Sequence, residues 1–194
     1  MIGMKHVFAL AVLLFLTACK PAAQEPPVAA TPPAAQPAKA PADAPKPEIP
    51  TLVVDTFDGG KFDLAQQRGK WVVVNFWATW CAPCLKEIPD LDAFDKSRDD
   101  VLVIGLAYEE IERADMEAFL KEHVFSYPMA ILDVYSPPAD FETPRGLPMT
   151  YLIAPDGKVA KKFLGPVTSD ELAEAISKHG SAPPAAAPSS GAPA

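Results

Sequence analysis

The sequence predicts an α/β fold built around a mixed β-sheet, and three observations lead to that class. Two continuous apolar runs, 71–77 (WVVVNFW) and 101–107 (VLVIGLA), have the length and the β-branched content of strands buried on both faces of a sheet. Apolar residues at helical spacing follow each run. Two later strand-like runs, 149–154 and 159–164, flank a PDG turn and predict an antiparallel hairpin. Strands that alternate with helices imply a parallel centre, to which this hairpin adds antiparallel strands.

The remaining elements follow the same reasoning along the chain. Residues 52–63 contain two short apolar segments around a DGG turn and predict an N-terminal β-hairpin. Helical spacing of apolar residues predicts helices over 85–98 and 110–123. The last predicted helix, 168–179, begins with a capping pattern and is ended by Gly180. The expected order is therefore hairpin, β, α, β, α, an irregular segment, a β-hairpin and a final α-helix.

The N-terminal residues predict an export signal that lies outside this domain. Residues 1–18 combine Lys5 with an apolar run (VFALAVLLFL) that is too short to span a bilayer, as in a signal peptide. Residues 16–19 (LTAC) resemble the bacterial lipobox. That resemblance implies that Cys19 becomes the first mature residue and carries a lipid. An ordinary signal peptide with an incidental cysteine is the alternative.

Two segments rich in proline and alanine flank the predicted domain. Residues 19–50 and 181–194 have almost no large apolar side chains, so they cannot bury enough surface to offset the entropy lost on ordering. We expect a lipid-anchored linker at 19–50, with simple disorder as the alternative to a tether, and a disordered tail at 181–194. Many of the 23 prolines of this 194-residue chain thus lie outside a domain at 51–180, which is long enough for a hydrophobic core.

Charge and cysteine content exclude two classes of protein. The formal net charge of −8 argues against a nucleic-acid partner, which would need a basic face to neutralise phosphate. Three cysteines are too few for a disulfide-stapled miniature fold, and an odd number leaves one without a partner. If Cys19 carries the lipid, Cys81 and Cys84 remain as one matched pair.

The predicted chemistry centres on residues 80–84 (WCAPC), which lie between a buried strand and a helix. Two cysteines three residues apart at a helix start lie on one side of its first turn, within reach of a disulfide. The free N–H groups and the dipole of the helix N-terminus stabilise a thiolate at Cys81, as attack on a disulfide near neutral pH requires. Cys84, one turn further in, is placed to resolve the mixed disulfide.

Two other uses of this cysteine pair are alternatives to redox catalysis. A structural zinc site usually needs four ligands, and the other candidates are His123 and His179, each alone on a helical stretch. An inert structural disulfide would close so short a loop that it constrains little of the chain. Redox catalysis is the better interpretation, and we expect neither a metal nor another cofactor.

Residues 75–84 (NFWATWCAPC) resemble the active-site segment of thioredoxin-fold proteins, specifically the bacterial extracytoplasmic TlpA/ResA-like branch. The similarity continues through 87–89 (EIP), ends in 146–153 (GLPMTYLI) and covers most of residues 50–180. It implies a thioredoxin-like fold, with a central mixed β-sheet flanked by helices on both faces and an N-terminal β-hairpin extension.

The resemblance implies catalytic roles for three residues. Cys81 becomes the nucleophile and Cys84 the resolving thiol of a redox disulfide, Cys81–Cys84. Glu87 becomes an acid that aids proton transfer at Cys84, with a merely electrostatic role as the alternative. Asn75 stands where cytoplasmic thioredoxins carry a buried aspartate, which makes Glu87 the better candidate for the proton acceptor.

The resemblance also implies a surface that binds substrate. Pro148 becomes a cis-proline facing the sulfurs, so that the Leu147 backbone can pair with a substrate strand; an ordinary trans turn is the alternative. Trp80 is expected to shape the exposed docking surface, whereas Trp77 is expected in the core.

The function expected from the resemblance is thiol–disulfide exchange on the periplasmic side of a bacterial membrane, and the resemblance favours disulfide reduction over oxidation. Partners would be proteins with disulfides or thiols, such as apocytochrome c or metal-site cysteines, a membrane-borne thiol donor, and the membrane itself through Cys19. A thiol peroxidase of the peroxiredoxin type is an alternative, but it would need Thr-x-x-Cys, and Thr79 lies only two residues before Cys81. A metal or haem chaperone is another, although no Met or His cluster accompanies the pair.

Overall fold

The computed structural model describes residues 45–123 and 125–180. The predicted signal peptide, the lipid site Cys19, most of the linker and the tail at 181–194 lie outside these residues and stay predictions. The elements are, in chain order, β1 (Val53–Asp55), β2 (Lys61–Asp63), a 3-10 turn (Leu64–Gln67), β3 (Trp71–Trp77), α1 (Ala82–Ser97), β4 (Val101–Ala107), α2 (Arg113–Glu122), β5 (Met129–Ile131), β6 (Met149–Ile153), β7 (Val159–Leu164) and α3 (Ser169–His179). This order confirms the predicted α/β class.

The central sheet has five strands in the order β5-β4-β3-β6-β7. β3 and β4 run parallel, with Trp71 opposite Val101 and Trp77 opposite Ala107. β6 and β7 form the predicted antiparallel hairpin, and β6 also pairs antiparallel with β3. The sheet is therefore mixed, as predicted. β1 and β2 form a separate two-stranded antiparallel sheet, which is the predicted N-terminal hairpin.

The main differences from the sequence prediction are the starts of two helices and one strand that was not predicted. α1 begins at Ala82 rather than at residue 85, because Cys81 already supplies the N-cap. α2 begins at Arg113 rather than at residue 110, because the backbone of Glu112 is extended. β5 lies in the segment expected to be irregular, since three residues carry too little pattern to be recognised. Within the described residues, no helix combines the length and apolarity needed to cross a membrane.

The side chains of β3 alternate between the two faces of the sheet, and each face has its own core. Val73 and Trp77 face the core to which all three α-helices contribute, whereas Val74 and Phe76 face a second core. The helix residues buried in the first core are Cys84, Ile88, Leu91, Phe94, Met116, Leu172, Ala175 and Ile176. The N-terminal hairpin, the 3-10 turn and the loop between β5 and β6 contribute to the second core.

All three α-helices therefore contribute to one face, and the second face has only the four-residue 3-10 turn where the resemblance implied helices on both faces. The loop before β6 is the segment that could have added an α-helix there, and it contains Pro137, Pro138 and Pro144. Proline removes a backbone donor and disfavours helix in the residue before it, so this loop follows an irregular path.

The chain enters the domain at the end of the sheet far from the carboxyl ends of β3 and β4. The backbone N–H of Val159 donates to the carbonyl oxygen of Glu48 at 2.9 Å. Val159 pairs with Ile153, and Ile153 pairs with Val72 near the start of β3. The first described residues are thus fixed to the opposite end of the sheet from the α1 N-terminus.

We expect Leu172→Ala to lower the free energy of unfolding by about 2–5 kcal/mol, because Leu172 on α3 is fully buried and its truncation leaves a cavity. The same change at Leu164, which is 70% exposed, is the matched control and should alter stability by less than about 0.5 kcal/mol. Urea denaturation of the oxidised protein measures both. Equal losses for the two variants would contradict the placement of α3 against the core.

Candidate active site

The two cysteines lie at the N-terminus of α1, immediately after the turn that follows β3. Cys81 is the N-cap residue, and its sulfur accepts a hydrogen bond from the backbone N–H of Cys84 at 3.3 Å. The two residues form a disulfide, with their Cα atoms 5.2 Å apart. Cys81 is 4% exposed and Cys84 is fully buried, so Cys81 is the cysteine that another molecule can approach.

A tight turn connects β3 to this helix. The backbone N–H of Cys81 donates to the carbonyl oxygen of Ala78 at 3.1 Å. Pro83 follows in the first helical turn, where its missing N–H removes no intrahelical bond. Within the turn, Trp80 is 69% exposed, whereas Trp77 at the end of β3 is fully buried, which agrees with the surface and core positions predicted for them.

Pro148 lies at the same edge of the sheet as the disulfide. It immediately precedes β6, whose first residue, Met149, pairs with Phe76 one residue before the end of β3. The Leu147–Pro148 peptide bond is cis, as the resemblance implied. Leu147 is half-buried and contacts both cores, and Pro148 itself is buried.

Glu87, in the second turn of α1, is buried on the face of the sheet that carries the α-helices. One carboxylate oxygen accepts a hydrogen bond from the side-chain amide of Asn75 at 2.7 Å, and the other accepts the backbone N–H of Val167 at 2.8 Å. The same amide nitrogen donates to the Thr150 hydroxyl at 2.9 Å. β3, β6 and the segment before α3 thus hold this carboxylate in place.

Burial raises the pKa of Glu87 from its ordinary value of 4.5 to about 7, because the charged form loses its hydration. The hydrogen bonds from Val167 and Asn75 oppose part of this rise, since they stabilise the carboxylate. A carboxyl group that titrates near neutrality can both accept and release a proton. Glu87 follows Cys84 by three residues, so the two lie on the same side of the helix.

Sequence reasoning missed several residues that shape this edge. The buried carboxylate of Glu109 accepts hydrogen bonds from the backbone N–H and the hydroxyl of Thr79, at 2.7 and 2.9 Å. The position of Glu109 in the sequence could have identified it as a site residue. Glu109 follows β4, and β4 ends at the same edge of the sheet as the parallel strand β3. Val167 binds Glu87 only through its backbone N–H, so its side chain gave no indication of this contact in the sequence. No group of three or more His, Cys, Asp or Glu within 45–123 and 125–180 is arranged to hold a metal ion.

The sheet order, the cysteine pair at the N-terminus of α1 and the cis-proline at the same edge define a thioredoxin-like thiol–disulfide protein. The chain belongs to the AhpC/TSA family, whose family model matches residues 44–163.

Individual relatives agree with this class. Thiol-disulfide oxidoreductase ResA of Bacillus cereus is 36% identical over 127 residues, which are 64% of this chain and 72% of that protein. ResA of Bacillus subtilis is 30% identical over 129 residues, 64% of this chain and 70% of that protein. A thiol:disulfide interchange protein of the thioredoxin family from Chlorobium tepidum has a crystal structure that matches with a TM-score of 0.58 and 26% identity, covering 70% of this chain and 97% of that one. The exposed lipoprotein thioredoxin of Streptococcus pneumoniae matches with a TM-score of 0.58 and 25% identity, covering 66% of this chain and 98% of that one.

The chain is therefore a protein thiol–disulfide oxidoreductase of the ResA type, as the sequence predicted. Its substrates are protein thiols and disulfides. This assignment covers the class of enzyme alone. The sequence prediction also included a direction of exchange, a cellular location and individual residue roles.

We expect Glu87 to make the stability of the oxidised protein fall as the pH rises. Between about pH 4.5 and about pH 7 the folded protein keeps a proton that the unfolded chain has lost, so folding takes up a proton in this window. The contribution is complete below this window and lost above it, and amounts to roughly 3 kcal/mol. Urea denaturation of the wild type and of Glu87→Gln at several pH values isolates the contribution of Glu87, because the two proteins share all their other carboxyl groups. Parallel stability profiles for the two proteins would contradict the raised pKa.

Proposed function

We propose that the chain is a disulfide reductase in which Cys81 is the nucleophile and Cys84 the resolving thiol. The observation that carries this proposal is the position of Cys81, which caps α1 with its sulfur hydrogen-bonded to the Cys84 N–H. Backbone N–H groups and the helix dipole at that position favour negative charge on sulfur. The slight exposure of Cys81 and the complete burial of Cys84 favour the same assignment of roles.

The proposed thiol–disulfide exchange takes two steps, in which bonds and electrons balance. In the first, the Cys81 thiolate attacks one sulfur of a substrate disulfide, the substrate S–S bond breaks, and one substrate thiolate leaves. In the second, Cys84 loses its proton and attacks the Cys81 sulfur of the mixed disulfide, which releases the second substrate thiolate. The substrate gains two electrons, and the enzyme is left with the Cys81–Cys84 disulfide. A membrane-borne dithiol donor would return the enzyme to its reduced state.

Glu87 is the group that we propose as acceptor for the Cys84 proton. Its pKa of about 7 suits proton transfer near neutral pH, and its two hydrogen bonds fix the carboxylate in the interior. Cys84 is fully buried in the core beside the α-helices, so a thiol there needs a nearby base before it can attack.

The edge of the sheet near the disulfide offers a surface for an extended substrate segment. Trp80 presents a largely exposed indole one residue before Cys81, which suits apolar contact with a partner. Leu147 is half-buried beside the cis-proline Pro148, and its backbone is the proposed partner for a substrate strand.

We propose that the enzyme works on the extracytoplasmic side of a bacterial membrane, with Cys19 carrying the lipid. The lipobox-like sequence at 16–19 supports this location, and the pneumococcal relative is described as an exposed lipoprotein. A proline-rich linker can extend up to roughly 3.1 Å per residue, which would let the domain reach partners away from the membrane surface. Thiols of apocytochrome c or of metal sites are the proposed substrates.

We expect Cys81→Ser to abolish reduction of insulin disulfides with dithiothreitol as the electron source, because no thiolate remains to attack. Cys84→Ser should instead accumulate mixed disulfides with its substrates in cells, which non-reducing electrophoresis and mass spectrometry identify. Unchanged insulin turnover in Cys81→Ser would refute the assigned nucleophile. If the oxidised wild type oxidises a dithiol peptide faster than the reduced wild type reduces insulin, the proposed direction is reversed.

We expect the wild type to be labelled by palmitate and to fractionate with membranes, because Cys19 supplies the thiol for lipidation. Cys19→Ala should lose both properties, whereas Cys81→Ala is the matched control that keeps them. Labelling of Cys19→Ala equal to that of the wild type would contradict lipidation at this residue.

A further inference from the structure

Glu109 is a second buried carboxylate near the disulfide, and neither of the proposed chemical steps uses it. It is 8% exposed and lies two residues beyond the end of β4. Its two oxygens accept the backbone N–H and the hydroxyl of the same residue, Thr79, at 2.7 and 2.9 Å. Hydrogen bonds to an ionised carboxylate are among the stronger ones in proteins, so this pair fixes Thr79 firmly.

Thr79 lies inside the turn that sets the position of Cys81. The turn is closed at its base by the bond from the Cys81 N–H to the Ala78 carbonyl, at 3.1 Å. A further backbone bond, from Tyr108 to Trp77 at 2.8 Å, ties the start of the turn to the residue before Glu109. The segment after β4 therefore holds the turn at two successive points, one through the backbone and one through the Glu109 side chain.

We propose that Glu109 is a positioning residue for Cys81. By holding Thr79, it keeps Cys81 at the N-cap of α1, where the Cys84 N–H reaches the Cys81 sulfur. A turn released from Glu109 would let Cys81 sample positions away from these donors, and the thiolate would be less stabilised. This inference rests on the proposed role of Cys81 as the attacking thiol and adds the residue that holds it in place.

Two neutral substitutions separate this positioning effect from the charge of Glu109. Glu109→Gln keeps an oxygen for the Thr79 N–H and an amide that can donate to the Thr79 hydroxyl. Glu109→Ala removes both bonds. Because both variants lack the negative charge, a difference between them reports the hydrogen bonds alone. Thr79→Val and Thr79→Ser form a second pair, since valine loses the hydroxyl bond and serine keeps it.

The experiment measures the pH dependence of iodoacetamide alkylation of Cys81 in the reduced full chain carrying Cys84→Ser. Mass spectrometry of the tryptic peptide that contains Cys81 excludes any signal from Cys19. We expect the midpoint pH of alkylation to be higher in Glu109→Ala than in Glu109→Gln. At about pH 6, alkylation should be about three- to tenfold slower in the alanine variant, as expected from the loss of one or two hydrogen bonds. Thr79→Val should differ from Thr79→Ser in the same direction.

Equal midpoints and rates for Glu109→Ala and Glu109→Gln would overturn the proposal, provided that thermal unfolding shows both to be folded. If Glu109→Ala does not fold, equality of the two Thr79 variants overturns it instead. Failure of the proposed function has a different signature, because Cys81 in the Cys84→Ser parent would then alkylate no faster than an ordinary exposed thiol at the same pH.

Discussion

The central strand β3 is the constraint on which the arrangement of this protein depends. All seven of its residues are buried, and it pairs in parallel with β4 on one side and antiparallel with β6 on the other. This double pairing brings the carboxyl ends of β3 and β4 and the amino end of β6 to one edge of the sheet. The turn bearing Cys81, the segment bearing Glu109 and the cis-proline Pro148 come together there because each is the direct continuation of one of these strands.

Two buried carboxylates at this edge are held in different ways. Glu87 receives one hydrogen bond from the Asn75 side chain and one from the Val167 backbone, so its position depends on two separate parts of the chain. Glu109 receives both of its bonds from Thr79. Burying a carboxylate is unfavourable unless hydrogen bonds compensate for the lost hydration. The two arrangements are consistent with two tasks, proton transfer for Glu87 and positioning of the turn for Glu109.

The parts of the fold predicted well from sequence are those whose signal is local and long. The runs that form β3, β4 and β7 predicted those strands with their observed bounds, because β3 and β4 are continuous apolar runs and β7 follows a recognisable turn at 155–157. The cysteine pair was recognisable for the same reason, since both residues and the helix start lie within one turn. β5 was missed because three residues form no pattern, and its pairing depends on β4 rather than on its own sequence.

The site residues that sequence reasoning missed depend on contacts between distant parts of the chain. Thr79 and Glu109 are 30 residues apart, and Glu87 and Val167 are 80 residues apart. No local pattern links such residues, and Val167 contributes a backbone group that any residue other than proline could supply. Knowledge of the strand order would have helped with Glu109, because a polar residue that follows one parallel strand lies beside the residues that follow its neighbour.

The backbone bond between Glu48 and Val159 fixes the position of Glu48 relative to the disulfide. Val159 pairs with Ile153 and Ile153 with Val72, so Glu48 is held at the end of the sheet opposite the disulfide. A domain held at Glu48 would turn its disulfide edge away from that point of attachment, toward freely diffusing proteins.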